Sequence, residues 1–231
     1  FSAYFVYLVP LDPWQQKAIS GTVILFISFL LYRKIDSIGR IGILLWAGVI
    51  ATLGWIIYGG ISHGNILQPL RDFPSSFSWE VLGSFAFGQA CVKTIYSYLG
   101  YYNVCHLGGE IKDPGRNIPK SMFISVIGIA ILYLAMNLSV GSVISWQEIK
   151  GWQDSGQNNF VVSVFIERLY GNTAGIVATI MILWVALASL FAVMLGYSRV
   201  PYAAAVDGAF FSVFAKLHPT KNFPYVSLLV L

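Results

Sequence analysis

Charge is what this sequence has least of. Only 10% of its 231 residues are Asp, Glu, Lys or Arg, against about 25% in an average soluble domain. So few charges cannot cover a water-soluble surface on a chain this long. Hydrophobic residues make up 57% and the mean hydropathy is +0.70. The composition excludes a soluble globular protein and predicts a polytopic membrane protein, an all-α bundle of spanning helices in a lipid bilayer. Catalytic chemistry is scarce too. The three histidines, His63, His106 and His218, are dispersed. Cys91 and Cys105 stand fourteen apart without a CxxC and read as free, buried thiols. No metal site, nucleophile–base pair or phosphate loop is visible, so no cofactor is expected. The net charge of +4 is spread among loops, which argues against a nucleic-acid partner. An initiator Met is lacking and the last residues fall inside a fresh apolar run, so the sequence reads as an internal fragment.

What is abundant is apolar runs. Spans are predicted at about 14–32, 41–61, 79–107, 118–144 and 172–198, with a truncated one at 223–231, all within one transmembrane domain, 1–231. Gly48, Gly54, Gly59 and Gly60 in the second span would permit close helix approach in lipid. Asn117 and Pro119 read as the start of the fourth. Loops 33–40, 110–120 and 199–221 then share one side. That side carries nine basic residues: Arg33, Lys34, Arg40, Lys112, Arg116, Lys120, Arg199, Lys216 and Lys221. The opposite side has four, Lys17, Arg71, Lys150 and Arg168, against six acids. An excess of Lys and Arg marks cytoplasmic loops, so the first set is assigned to the cytoplasm, most simply beneath a plasma membrane.

The stretch 84–119 organises the rest. Its apolar run, 79–107, would reach roughly 43 Å as one helix, against a hydrocarbon core of roughly 30 Å. A polar aromatic cluster with Gly100 near its middle predicts two half-helices around a break. Such ends expose unpaired carbonyls, which attract an ammonium, and unpaired N–H groups, which attract a carboxylate. The other reading of the tyrosines is an interfacial aromatic belt, which Tyr101 and Tyr102 fit less well because Val104, Cys105 and Leu107 continue the apolar run. Lys93 is an ionisable residue inside the span, costing roughly 3 kcal/mol to insert, so it should face a cavity or an acid. It reads either as a pathway residue, standing in for a coupling cation or changing protonation, or as half of a structural ion pair.

Residues 109–119, GEIKDPGRNIP, resemble the end of the sixth span in amino acid–polyamine–organocation (APC) permeases. Residues 197–208, with Tyr197-Ser198-Arg199, Ala203 to Ala205 and Asp207-Gly208, are similar to that family's motif after the eighth span, and His218-Pro219 follows at the expected place. The two motifs lie about 90 residues apart with the right number of spans between them. The resemblance implies part of a LeuT-like five-plus-five inverted repeat, spans four to nine, with the substrate held where the sixth span unwinds. Family members resembling this one read F-A-Y-x-G-W there; Tyr96-Ser97-Tyr98-Leu99-Gly100-Tyr101 takes that place here. Tyr96 is then implied to be an aromatic gate, and the backbone around Ser97 and Tyr98 to bind the substrate's amino group.

The resemblance also implies a cytoplasmic hinge or gate at Glu110, Lys112, Asp113, Arg116 and Arg199, each of which, taken singly, reads equally as a solvated loop charge or a span anchor. Ser189 is the hydroxyl that a sodium-coupled member would place on the eighth span, although a lone Ser more often bonds back to its own helix. The implied activity is secondary active transport of an amino acid or related amine, proton-coupled or by exchange, with no enzymatic step. A polyamine or organocation exchanger of the same fold is the nearest alternative. A membrane-embedded enzyme or a channel is a more distant one.

Overall fold

A computed structural model describes residues 1–32, 35–71, 83–152, 160–219 and 223–230. Arg33, Lys34, Trp79 and Lys221 of the reading above therefore lie outside the described residues, as does the side chain of Glu110. Four helices carry the architecture: α2 (Pro13–Leu31), α3 (Ile35–His63), α6 (Pro114–Gly141) and α9 (Asn172–Tyr197), the last continued by α10 (Arg199–Val206). Short helices α1 (Ser2–Phe5), α4 (Gln68–Arg71), α7 (Trp146–Gly151), α8 (Val161–Tyr170) and α11 (Tyr225–Val230) lie between and around them. Between α4 and α6 come α5 (Phe85–Tyr98) and a 3₁₀ helix, Tyr101–Glu110. Among the described residues there is no strand, and the four long helices are each apolar enough to cross a membrane.

The start of α2 follows from its sequence. Asp12 accepts from the first turn while the Gln15 side chain receives the Asp12 N–H at 3.0 Å, and Pro13 supplies the fixed φ of a first helical residue. Helix α6 begins earlier than the sequence indicates. It opens at Pro114 rather than near Ile118, because Asp113 and Pro114 already make a start: the Asp113 carbonyl accepts from the N–H groups of Arg116 and Asn117 at 3.1 and 3.0 Å. Asn117 is thus inside the first turn, its amide donating to the Lys112 carbonyl, and Pro119 lies within the helix.

The bundle is wound around α3 and α9, which run antiparallel. One core joins Ile27 and Leu31 of α2, Ile38 and Leu45 of α3, Phe191 and Met194 of α9, and Phe223 and Leu228. A second, at the opposite end of the pair, joins Ile56, Ile144, Phe165, Ile166 and Ala178. Glycine sets the distance at two points. A Cβ on Gly48 would overlap the Trp184 indole, whose Nε1 donates to the Leu45 carbonyl at 3.1 Å. A Cβ on Gly60 would overlap the backbone of Ser139 in α6. There Ser139 Oγ donates to the Ile57 carbonyl at 3.2 Å and Ser142 Oγ to the Gly60 carbonyl at 3.1 Å. Small residues with hydroxyls reaching across are how helices associate where no hydrophobic drive separates them from lipid. Gly54, by contrast, faces open space.

Large apolar side chains point outward: Leu25 is 72% exposed, Phe123 73% and Ile43 69%. In water such a surface is untenable; in a bilayer it is the lipid-facing one. The loops also sort by end. Gly109, Arg199, Leu217 and Pro224 border one cavity, and Ile38, Met194 and Phe223 share the neighbouring core. At the other end the Asn65 N–H donates to the Ser142 carbonyl at 2.9 Å, Tyr7 donates to Glu167 at 2.7 Å, and Arg168 pairs through both terminal nitrogens with Glu148. The hydrogen bonds from Arg168 hold the Glu148 carboxyl below its ordinary value, against the opposing effect of partial desolvation.

Two outcomes follow. Gly60→Ala is expected to destabilise the protein by about 1–3 kcal/mol through overpacking, whereas Gly54→Ala stays within about 0.5 kcal/mol, read as thermal melts in detergent. The Glu148–Arg168 pair contributes at neutral pH and above the ordinary carboxylate pKa. Its contribution is lost as pH falls through the depressed value, and at an exposed site it amounts to no more than about 1 kcal/mol. Glu148→Gln should flatten that acid limb of the melting profile.

Candidate functional site

Ser84 begins the interrupted stretch as an N-cap, accepting from the Phe87 N–H at 3.2 Å. Helix α5 then runs to Tyr98 and stops. Leu99 is extended (φ −62°, ψ 145°) and Gly100 is left-handed with φ +109°. That conformation strains any residue bearing a Cβ, so Gly100 is what allows the chain to turn here. Beyond it the chain resumes as a 3₁₀ helix of ten residues, not as the second α-helical half that the sequence predicts. Its rise of about 2.0 Å per residue makes the two segments together about 40 Å long.

A helix end leaves its last carbonyls without intrahelical partners. The Tyr96 carbonyl receives the Leu99 N–H at 3.2 Å. The Ser97 carbonyl receives the Tyr133 hydroxyl of α6 at 2.8 Å. The Tyr133 ring also stands edge-on to Tyr98, centroids 5.4 Å apart, and Asn137 one turn on donates to the Tyr133 carbonyl at 2.8 Å. Lys93, Thr94, Ser97 and Tyr98 line a groove of about 510 Å³ against Tyr133, Leu134 and Asn137. Lys93 also borders a second groove with Phe85, Gly88, Gln89 and Val92, so its side chain sits between two open spaces.

Of the residues singled out from sequence, Lys93, Ser97 and Tyr98 come together here. Tyr96 projects away, 69% exposed. Tyr101 turns toward α6, bordering an apolar groove with Pro119, Met122 and Phe123. Ser189 is elsewhere, in a groove between α3 and α9 with Leu45, Trp46 and Phe191. Asp113 has φ +47°, unusual for a non-glycine residue, at the turn into α6. Lys112 and Arg116 flank it, both exposed. Arg199 is 7% exposed; its Nη1 donates to the Leu195 carbonyl at 3.0 Å and to Ser198 Oγ at 2.7 Å, tying the end of α9 to the start of α10. Both cysteines are free but exposed rather than buried, because each lies on a helix face turned outward; Cys105 touches the Met122 sulfur at 3.9 Å.

Sequence reasoning missed Tyr133 and Asn137. The available signal was their four-residue spacing, which puts both on one face of an apolar span. It also missed an inner cluster on the 3₁₀ helix. The Tyr102 and Tyr197 hydroxyls are 3.5 Å apart, and the His106 ring lies 5.5 Å from that of Tyr197. His106, Arg199 and Tyr202 border a cavity of about 350 Å³ with Gly109 and Pro224.

The profile of the family described as "Amino acid permease" matches residues 1–231. This chain belongs to the amino acid permease family. Membership of the APC superfamily and the four long apolar helices make it an integral membrane chain. Its relatives include the uncharacterized amino acid permease YecA of Bacillus subtilis, 26% identical over 96% of this chain and 49% of that protein. The high-affinity methionine permease of Saccharomyces cerevisiae is 25% identical over 93% of this chain and 38% of its own length. The aspartate-proton symporter of B. subtilis is 29% identical over 67% and 31%. The chain thus spans half or less of the length of these relatives.

Gly100→Ala is expected to cost about 1–2 kcal/mol of stability, through strain at positive φ and not through a clash, since the nearest side-chain atom to a new Cβ, on Asn103, would be 3.7 Å away. Melting temperature of the purified variant in detergent checks this.

Proposed function

We propose that this chain carries half of the substrate site of a secondary active transporter for amino acids or related amines, working by alternating access within a LeuT-like inverted repeat. The observation that carries the reading is the interruption at Leu99–Gly100 in an otherwise apolar segment. Irregular backbone at membrane depth is tolerated only where it is buried in protein or lines a cavity. Here the turn just before it, Ser97 and Tyr98, lines a groove shared with Lys93, Tyr133 and Asn137. The carbonyls at the end of α5 bear the negative pole of a helix and suit an ammonium; substrate sites of secondary transporters are built from such broken helices. In this reading Tyr96, Ser97, Tyr98, Leu99, Gly100 and Tyr101 form the chain's share of the site; the gate role of Tyr96, which projects away from the groove, rests on the family resemblance. The segment from Glu110 to Arg116, with Arg199, forms the cytoplasmic hinge beneath a plasma membrane. Ser189, off the break, is assigned no coupling ion.

Coupling to protons or exchange is supported by similarity to a relative named as a proton symporter and another named as a serine/threonine exchanger. Lys93 is the residue through which such coupling would be read here. It stands inside the apolar segment, less than two turns before the break, and borders two grooves. A fixed ammonium there supplies the charge that a bound cation would otherwise supply, or pairs with the carboxylate of the substrate.

The test is uptake by the full-length protein in proteoliposomes, with a panel of labelled amino acids and polyamines at two pH values. Saturable, gradient-dependent accumulation of amino acids is the expected result; conductance without saturation would point to a channel instead. Lys93→Ala should lower uptake at least tenfold and change its pH dependence, with Lys93→Arg keeping the charge but not the fit. Unchanged uptake and unchanged pH dependence in both variants would remove Lys93 from the mechanism.

A further inference from the structure

Among the described residues, the Tyr133 side chain holds the break from outside. Among the described contacts, α5 meets α6 where the Tyr133 hydroxyl reaches the Ser97 carbonyl at 2.8 Å and the Tyr133 ring stands against Tyr98 at 5.4 Å. Ser97 is also tied from within, its Oγ donating to the Lys93 carbonyl at 2.9 Å. In a continuous helix the Ser97 carbonyl would receive the N–H of Tyr101. Gly100 turns that N–H away, and the Tyr133 phenol takes its place.

We propose that Tyr133 is the positioning residue of the ammonium subsite: by donating to the Ser97 carbonyl it fixes the peptide planes of the unwound turn in the orientation that receives a substrate's amino group. This rests on the amino acid transport reading above. A carbonyl oxygen has two lone pairs, and Tyr133 uses one. The peptide plane is thereby set, while the second lone pair and the neighbouring end-of-helix carbonyls stay available to the ammonium. The Tyr98 ring, edge-on to the same residue, lines the groove. Asn137, bonded to the Tyr133 carbonyl one turn away, borders the groove beside it. Tyr133 itself needs no contact with the substrate to act in this way. Its effect falls on recognition of the amino group and not on the carboxylate or side chain.

That selectivity provides the readout. In proteoliposomes of the full-length protein, uptake of whichever of labelled methionine, leucine, serine or aspartate accumulates fastest is competed with the same unlabelled amino acid and with its 2-hydroxy acid, which lacks only the ammonium. Wild type should prefer the amino acid. Tyr133→Phe should raise KM about fivefold, leave the maximal rate within about twofold, and shrink the preference for the amino acid over the hydroxy acid by a similar factor. Tyr133→His, which keeps a ring and an N–H donor, should retain more of that preference than Tyr133→Phe. Thermal melts of both variants accompany the kinetics and separate a folding defect from a recognition defect. A Tyr133→Phe protein that melts as wild type and discriminates as wild type overturns the inference while leaving the transport reading intact. A uniform loss of rate with unchanged discrimination also overturns it, since that is what a merely structural tyrosine would give. If wild type accumulates none of the amino acids, the transport reading fails and the inference fails with it.

Discussion

Every peptide group that leaves water must find a partner, and this chain interrupts a helix in the middle of an apolar segment. An unpaired N–H or C=O in hydrocarbon costs several kcal/mol, more than a single cross-helix hydrogen bond returns. The interruption at Leu99–Gly100 therefore makes demands on everything around it. The Leu99 N–H turns back to the Tyr96 carbonyl, the Tyr133 phenol covers Ser97, and beyond Gly100 the chain at once resumes hydrogen bonding as a 3₁₀ helix. Part of the demand is met locally. One part of it depends on another helix being in the right place.

That dependence passes down a line of supports. Tyr133 is where it is because α6 is pinned at both ends. At its start, Asp113 and Pro114 fix the turn into the helix. At its finish, Ser139 and Ser142 bond to carbonyls of α3 across the gap left by Gly60. Helix α3 is in turn held on α9 by the Trp184 indole seated over Gly48. The glycines and serines at these crossings look dispensable beside the polar residues at the break. Yet a helix axis displaced by an extra methyl at Gly60 would carry Tyr133 with it. The geometry of the site and the packing of the bundle are the same problem at two distances.

Much of this could be read without coordinates, and the reason differs from feature to feature. That 79–107 is too long for one span is a matter of arithmetic on rise per residue. The division of loops into a basic and a less basic set follows from counting Lys and Arg, and the described members of each set do gather at opposite ends of the bundle. What pattern cannot reveal is partnership. Tyr133 and Asn137 are visible as two polar residues on one helical face, but nothing in their spacing says that the face meets Ser97. Proline misled for a related reason. Pro114 and Pro119 both satisfy the rule for a first turn, and only the Asp113 carbonyl, already accepting two N–H groups, decides in favour of Pro114. The ten-residue 3₁₀ stretch is illegible in principle from periodicity, because apolar residues fall at i and i+3 in either kind of helix. The outward-facing cysteines follow the same logic, since an apolar span buries its faces in lipid as readily as in protein.

The two halves of the interrupted segment are held unequally, and this bears on how such a segment can move. The 3₁₀ half is wedged between α6, α9 and α10, with Asn103 and His106 against Gly196 and the Tyr102 hydroxyl near that of Tyr197. Helix α5 has large side chains exposed along its length, Phe85 at 82% and Ile95 at 64%, and meets α6 at its last turn. Rigid-body movement concentrates where packing is sparse and where a residue can absorb a change of φ and ψ. Both conditions coincide at Leu99–Gly100: sparse packing on one side, dense on the other, and a glycine between. On the transport reading proposed above, movement of α5 against the 3₁₀ half requires no element of α6 or α9 to shift. Among the described residues the contact across that junction is the one between Tyr133 and the turn beside it, so the side chain that satisfies the broken backbone also ties the end of α5 to α6.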